Sequence, residues 1–398
     1  MKKFLALLIC FVLLLSACSA SGNPSEAQTS SSSGGISQSE QTTQPDQEPE
    51  PVPEPEPEPG PEPVDNSWQF DTPENHQMDP EVFERLHAVL PGSGIRSVVM
   101  VKDGVIIDEY YADRYDETSI FTLQSGSKSF TSALIGIAIE EGYIGGVDDL
   151  VADYLPEILE QEDTRKHTMT LRDLLTQTSG LEWYEWGGGY TNWGEFRSAP
   201  DWVEYVLSRR LLYEPGAVFN YSTGNTHLLA AILEQAVGTD GLTYGKTHLF
   251  DPLGMDSVGW ATGPEGVIDG GNGISMTARD AARFGQLFVQ KGEWNGQQLI
   301  PAEWVEESTS VQNPGPGGTG QYGYQWWVTS YTPGQYGTYA TPYPSATYNV
   351  YFAFGFGGQM IYVVPELELV TVFTSMSQSS YAPRPYFTDY VLNAYMGS

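Results

Sequence analysis

The sequence predicts an α+β fold: one antiparallel sheet drawn from N- and C-terminal segments, flanked by helices, with a mainly helical subdomain inserted between. Three observations carry this. Runs rich in β-branched and aromatic residues stand near both ends, at 97–115 and 349–375. Segments between them show helical spacing with capping residues. No long-period repeat divides the 398 residues into an array.

The first 66 residues stand outside that fold. MKKFLALLICFVLLLSACSA sets two lysines before an apolar run and small residues, the pattern of a secretory signal peptide over 1–17. The run is too short for a confident membrane span. Leu15-Ser16-Ala17-Cys18 resembles the lipobox of bacterial lipoproteins. The resemblance implies cleavage before Cys18 and a diacylglyceryl group on its sulfur, anchoring the protein to the outer face of the bacterial cytoplasmic membrane. An ordinary signal peptide with an incidental cysteine is the alternative. Residues 18–66 form a linker, first Ser, Gln and Thr rich, then QEPEPVPEPEPEPGPEP. Such a tract buries too little to fold and extends by about 3 Å per residue. The folded domain is expected over 67–398.

Within it, DPEVFERLHAVL (79–90) reads as a helix with Asp79 as cap and Pro80 in the first turn. Two strand-like runs flank Lys102-Asp103-Gly104, a hairpin signal. SGSKSFTSALIGIAIEEGYIG follows as a helix with Phe130, Leu134, Ile137 and Ile139 on an apolar face and Gly142 at its close. TLRDLLTQTSGL (170–181) reads as a short helix between a Thr170 cap and Gly180. NTHLLAAILEQAVG (225–238) is a longer helix ending at Gly238. NVYFAFGFGGQMIYVV and LELVTVFTS read as two adjacent strands joined at Pro365-Glu366, and a helix with Tyr390, Leu392 and Ala394 closes the chain.

Composition excludes several functions. Eighteen basic residues face 51 acidic ones, a formal net charge of −33, so no basic surface is available for nucleic acid. Cys10 and Cys18 are the only cysteines, leaving the folded part without disulfide, thiol nucleophile or cysteine metal site. The five histidines (His76, His87, His167, His227, His248) lack metal-ligand spacing, so no metal and no cofactor is expected.

Ser125 and Lys128 can carry chemistry. Residues three apart share a helical face, so the ammonium can reach the hydroxyl. In a dry site a neutral lysine accepts the serine proton, and the serine attacks a carbonyl to form an acyl-enzyme. On spacing alone, a serine cap with a solvated lysine explains the pair better. EWYEWGGGYTNWGEF (182–196) gathers Trp183, Trp186 and other aromatics in a glycine-rich loop, either a wall for an apolar substrate or packing against the helical part.

The order of elements resembles the serine β-lactamase and penicillin-binding-protein superfamily. Its nearest branch is the class C β-lactamases with the related esterases, D-aminopeptidases and 6-aminohexanoate-dimer hydrolases. Ser125-Gly126-Ser127-Lys128 matches S-x-x-K; TLRDLLTQTSGL matches a common family segment; NYSTGNTHLLAAILE matches the Y-x-N region at Tyr221; GFGGQ (355–359) falls where the family carries K-T-G or H-x-G. GNGISMTARDAARFGQLF, GQQLIPAEWV and YGYQWW are also family-like.

The resemblance implies a β-lactamase/transpeptidase-like fold, Ser125 as nucleophile, Lys128 as base and Tyr221 as proton relay, its phenolate favoured by the nearby lysine. It implies an oxyanion hole from the N–H groups of Ser125 and Gln359, with Gly355, Gly357 and Gly358 baring a strand against which substrate lies. Two departures stand out. Phe356 occupies the place of the basic residue that binds a substrate carboxylate, and Thr223 replaces the Asn that holds the substrate amide. Both point away from penicillins toward small-molecule esters or amides. A D-amino-acid wall peptidase, and a binding or sensor lipoprotein that acylates and stalls, are the competing readings.

Overall fold

The computed structural model describes residues 66–185, 191–338 and 346–397. Helix α1 (Pro80–Val89) begins as expected, with the Asp79 carboxylate accepting from the Glu81 N–H at 2.9 Å. Strands β1 (Ile95–Lys102) and β2 (Val105–Tyr111) follow, turning through Asp103 and Gly104 at φ 53° and 84°. Two consecutive positive φ values make the tight turn whose twist suits a hairpin.

Helix α2 (Ser127–Glu140) is buried on every side from Ser127 to Ala138 rather than along one apolar stripe. Its polar residues are satisfied by neighbouring loops: Ser129 donates to Gln325 O at 2.8 Å and Thr131 to Gly270 O at 2.9 Å. Helix α3 (Leu171–Leu175) carries the Thr170 cap in a reciprocal capping box with Asp173. It stops well before Gly180. The turn at Gln177 (φ 61°) ends it, and Gly180 is needed because a Cβ there would lie 2.2 Å from Tyr213 O. Helix α4 (Thr223–Val237) ends on left-handed Gly238, and α5 (Ala278–Val289) is capped by Thr277.

The C-terminal half completes the sheet with β3 (Gln321–Tyr322), β4 (Trp327–Tyr331), β5 (Tyr348–Gly355), β6 (Gln359–Val364) and β7 (Leu369–Ser375). The order is β2-β1-β7-β6-β5-β4-β3, antiparallel throughout, with β1 against β7 in the register Val98↔Phe373 and Val101↔Val370. The region 349–375 therefore holds three strands where the sequence suggests two: the glycines at 357 and 358 reverse the chain. Helical residues Pro383–Ala394 close the fold.

Both sheet faces are covered, which is why its strands read as unbroken apolar runs. Val99, Val101, Val370 and Val372 join the core beneath α2 and α5, while Val98, Met100, Leu369 and Phe373 join the core beneath α1 and the C-terminal helical segment. Alternate residues of one strand thus serve two cores.

Candidate active site

The site lies where the N-terminal end of α2 meets the C-terminal end of β5. Ser125 sits in a one-turn 3₁₀ element, Gln124–Gly126, immediately before α2, and Gln124 holds φ 53°. A left-handed non-glycine residue costs conformational energy and is tolerated only where surroundings enforce it. They do here: a Cβ on Gly355 would fall 2.0 Å from Leu123 O, so the end of β5 is pressed against the turn bearing Ser125. Ser125 is half-buried and reachable from outside.

Lys128, one turn on, is fully enclosed at 1 % exposure. Its Nζ lies 2.9 Å from Gly271 O, 3.1 Å from Thr223 Oγ1 and 3.3 Å from Ser125 Oγ. Burial pushes its pKa down to about 8, with the charges of Glu185 and Asp269 holding back part of the fall. Near neutral pH the amine thus has access to its neutral, proton-accepting form.

Tyr221 enters just before α4. Its ring stacks on Trp327 at 5.6 Å and lies 5.1 Å from Lys128 Nζ. Burial raises its phenol well above the ordinary value, which a hydrogen bond with Ser125 only partly offsets. The resting form is therefore the phenol, not the phenolate the family resemblance suggests; desolvation outweighs the nearby lysine.

Thr223 opens α4 and is buried. Its hydroxyl donates to Glu185 Oε1 at 2.6 Å and its N–H to Glu185 Oε2 at 2.9 Å, while Trp183 Nε1 donates to the same Oε2 at 2.5 Å. Glu185 escapes a reading of the sequence because nothing local distinguishes it among the acidic residues of EWYEW. Asn272 escapes it too: its Oδ1 accepts from Ser125 Oγ at 3.2 Å, and its Nδ2 is buried without a partner among the described residues. The glycine-rich context of GGNG is its one sequence signal.

The structure brings Ser125, Lys128, Tyr221 and Thr223 together and sets the 355–358 segment beside them. Gln359 opens β6 directly after that segment. It is the register partner of Gly355 in the β5–β6 ladder, and its side chain donates to Ser375 O at 2.6 Å and accepts from Ser375 N at 3.1 Å. Gly357 and Gly358 form the turn at φ 79° and 92°, and Gly355, the third glycine of the expected bare strand, is the one pressed against Leu123 O. Phe356 projects from this turn at 70 % exposure. Trp183 is buried against Phe196 and Tyr205, so packing describes it better than an open wall, although it borders a cavity of about 210 Å³ with Tyr184, Glu185, Phe219, Tyr221 and Pro316. Trp186 and Cys18 lie outside the described residues. The histidines act singly: His227 meets Glu265, His87 meets Asp108 and His248 meets Glu141.

The β-lactamase family model matches residues 84–395. The chain belongs to the β-lactamase family. This family member is 25% identical over 252 residues to the 6-aminohexanoate-dimer hydrolase of Paenarthrobacter ureafaciens, covering 58% of this chain and 63% of that protein. It is 37% identical over 142 residues to penicillin-binding protein 4* of Bacillus subtilis, covering 35% of this chain and 30% of that protein. The chain thus spans less than two thirds of the length of these relatives. The class C β-lactamase structure from Rhodobacter sphaeroides superposes with a TM-score of 0.56 at 20% identity, covering 77% of this chain and 96% of that one, which establishes the shared fold. The family is one of serine hydrolases.

Proposed function

We propose that the protein hydrolyses an ester or amide of a small molecule through an acyl-enzyme on Ser125. The observation that carries this is Lys128: enclosed, with its pKa lowered to about 8, and 3.3 Å from Ser125 Oγ. Ser125 Oγ bonds to the substrate carbonyl carbon as its proton passes to Lys128 Nζ. The tetrahedral intermediate collapses, the C–O or C–N bond breaks, and the leaving group takes the Tyr221 phenol proton. The proton held by Lys128 restores Tyr221. Water then attacks the ester, its proton returning through the same groups to Ser125 Oγ.

The oxyanion would be held by the Ser125 N–H and one from the 355–359 segment. Gly357 N donates to Ser380 Oγ and Gly358 N to Gly355 O, which leaves the Phe356 amide and, just past the turn, that of Gln359, the donor the family resemblance implies. The exposed, uncharged Phe356 side chain argues for acyl groups without a carboxylate at that point.

The test is a fluorophosphonate probe and short p-nitrophenyl esters applied to the native protein, Ser125→Ala and Lys128→Ala. Probe mass on Ser125 and loss of ester turnover in both variants is the expected result. Labelling without turnover would replace the hydrolase with a sensor that acylates and stalls, and a folded native protein that does neither would remove the catalytic reading.

We also propose that Cys18 carries the lipid anchor, on the support of Leu15-Ser16-Ala17-Cys18. Cys18→Ser should move the protein from the membrane fraction to the medium; unchanged membrane retention would refute the anchor.

A further inference from the structure

A neutral amine has two N–H bonds and one lone pair, and Lys128 has three oxygen neighbours. For the lone pair to meet the Ser125 proton, both N–H bonds must be taken by the other two oxygens. Gly271 O can only accept. Thr223 Oγ1 could donate or accept, and if its proton pointed at Lys128 it would occupy the lone pair that Ser125 needs.

Glu185 decides the matter. A carboxylate only accepts, and Glu185 Oε1 lies 2.6 Å from Thr223 Oγ1, so the threonine proton points to Glu185 and its lone pair to Lys128. The carboxylate is itself held by the Thr223 N–H and Trp183 Nε1. Resting on the acyl-enzyme reading above, we propose that Glu185 is a positioning residue: through Thr223 it keeps the lone pair of neutral Lys128 aimed at Ser125. The serine then has two settings. With Lys128 charged, Ser125 accepts from it and donates to Asn272 Oδ1; with Lys128 neutral, the serine proton swings to the amine. The pairing also explains how a threonine serves at this place in the family pattern, since its single hydroxyl acts in one sense once a carboxylate stands behind it.

The charged groups that bear on Lys128 among the described residues are Glu185, from the segment ahead of α4, and Asp269, from the loop ahead of the Gly271 carbonyl; the Tyr221 ring covers a third side. Glu185→Gln is nearly isosteric and can still accept from the Thr223 N–H, but its amide can donate to Thr223 Oγ1 and turn the threonine proton toward Lys128. It also removes a negative charge that favours the ammonium. The expected result on the full-length protein is acylation by p-nitrophenyl esters slowed about 10²-fold, with the rising limb of the pH profile displaced to lower pH. Thr223→Ser should retain the rate and Thr223→Val should lose it. Wild-type rate and limb in Glu185→Gln would overturn the proposal, as would a slower rate with an unmoved limb and a lower thermal midpoint, the signature of a structural cap. Ser125→Ala, run alongside, separates the failures: turnover surviving in that variant would sink the acyl-enzyme reading itself.

Discussion

Burying an ammonium among neutral oxygens lowers its proton affinity, and for Lys128 the value falls from 10.5 to about 8. Between those values the unfolded chain holds a proton that the folded one has released. The cost to stability, on the order of 3 kcal/mol, is therefore complete below pH 8 and is relieved as pH rises toward 10.5. Lys128→Met should raise the thermal midpoint at pH 7, with the gain shrinking by pH 10.5, while abolishing ester turnover. Acylation by the native protein should rise with pH through about 8; a flat profile between pH 6 and 9 would contradict a lysine base. Lys128→Arg should be inactive across that range, since a guanidinium keeps its proton. At this scale the sequence was partly legible. Ser125, Lys128 and Tyr221 stand in recognisable patterns, but Glu185 and Asn272 reach the site from loops whose positions only tertiary packing determines.

Elements place those residues, and two tight approaches show how. Gly355 brings β5 against the Ser125 turn with no room for a methyl group. Gly355→Ala should displace the turn, lowering labelling of Ser125 by the fluorophosphonate probe far more than a surface change would. Wild-type labelling would show that the turn yields without consequence. The α3 cap is separable from chemistry: Thr170→Ala should cost about 1 kcal/mol in denaturant unfolding and leave ester turnover intact. Helix starts were the most legible feature, because Asp79 and Thr170 act through bonds a few residues long. Helix ends and strand counts were less so. Gln177, not Gly180, turns the chain after α3, and the apolar run through 349–364 conceals a hairpin because both sheet faces are buried. Where no face meets water, alternation vanishes and only the glycines mark the reversal.

At the scale of the molecule, the sheet is built from opposite ends of the chain. β1 lies between β2 and β7, and the Asp79 N–H bonds to Ala394 O at 2.8 Å. The sequence shows strands near both ends, and that much of the architecture followed from it; the order of the seven strands did not, since register between segments some 270 residues apart leaves no local trace. Removing residues 369–398 should leave a chain without cooperative unfolding, read by near-ultraviolet circular dichroism, because β1 and β6 would lose the strand that joins them. A native-like transition in that truncation would show that β7 is dispensable. The placement of β7 also sets a timetable. A ribosome making this chain releases β1 well before β7, so the β1–β7 pair of the sheet cannot form until some 270 further residues have been made. Until then the nascent polypeptide lacks the strand that would join β1 to β6.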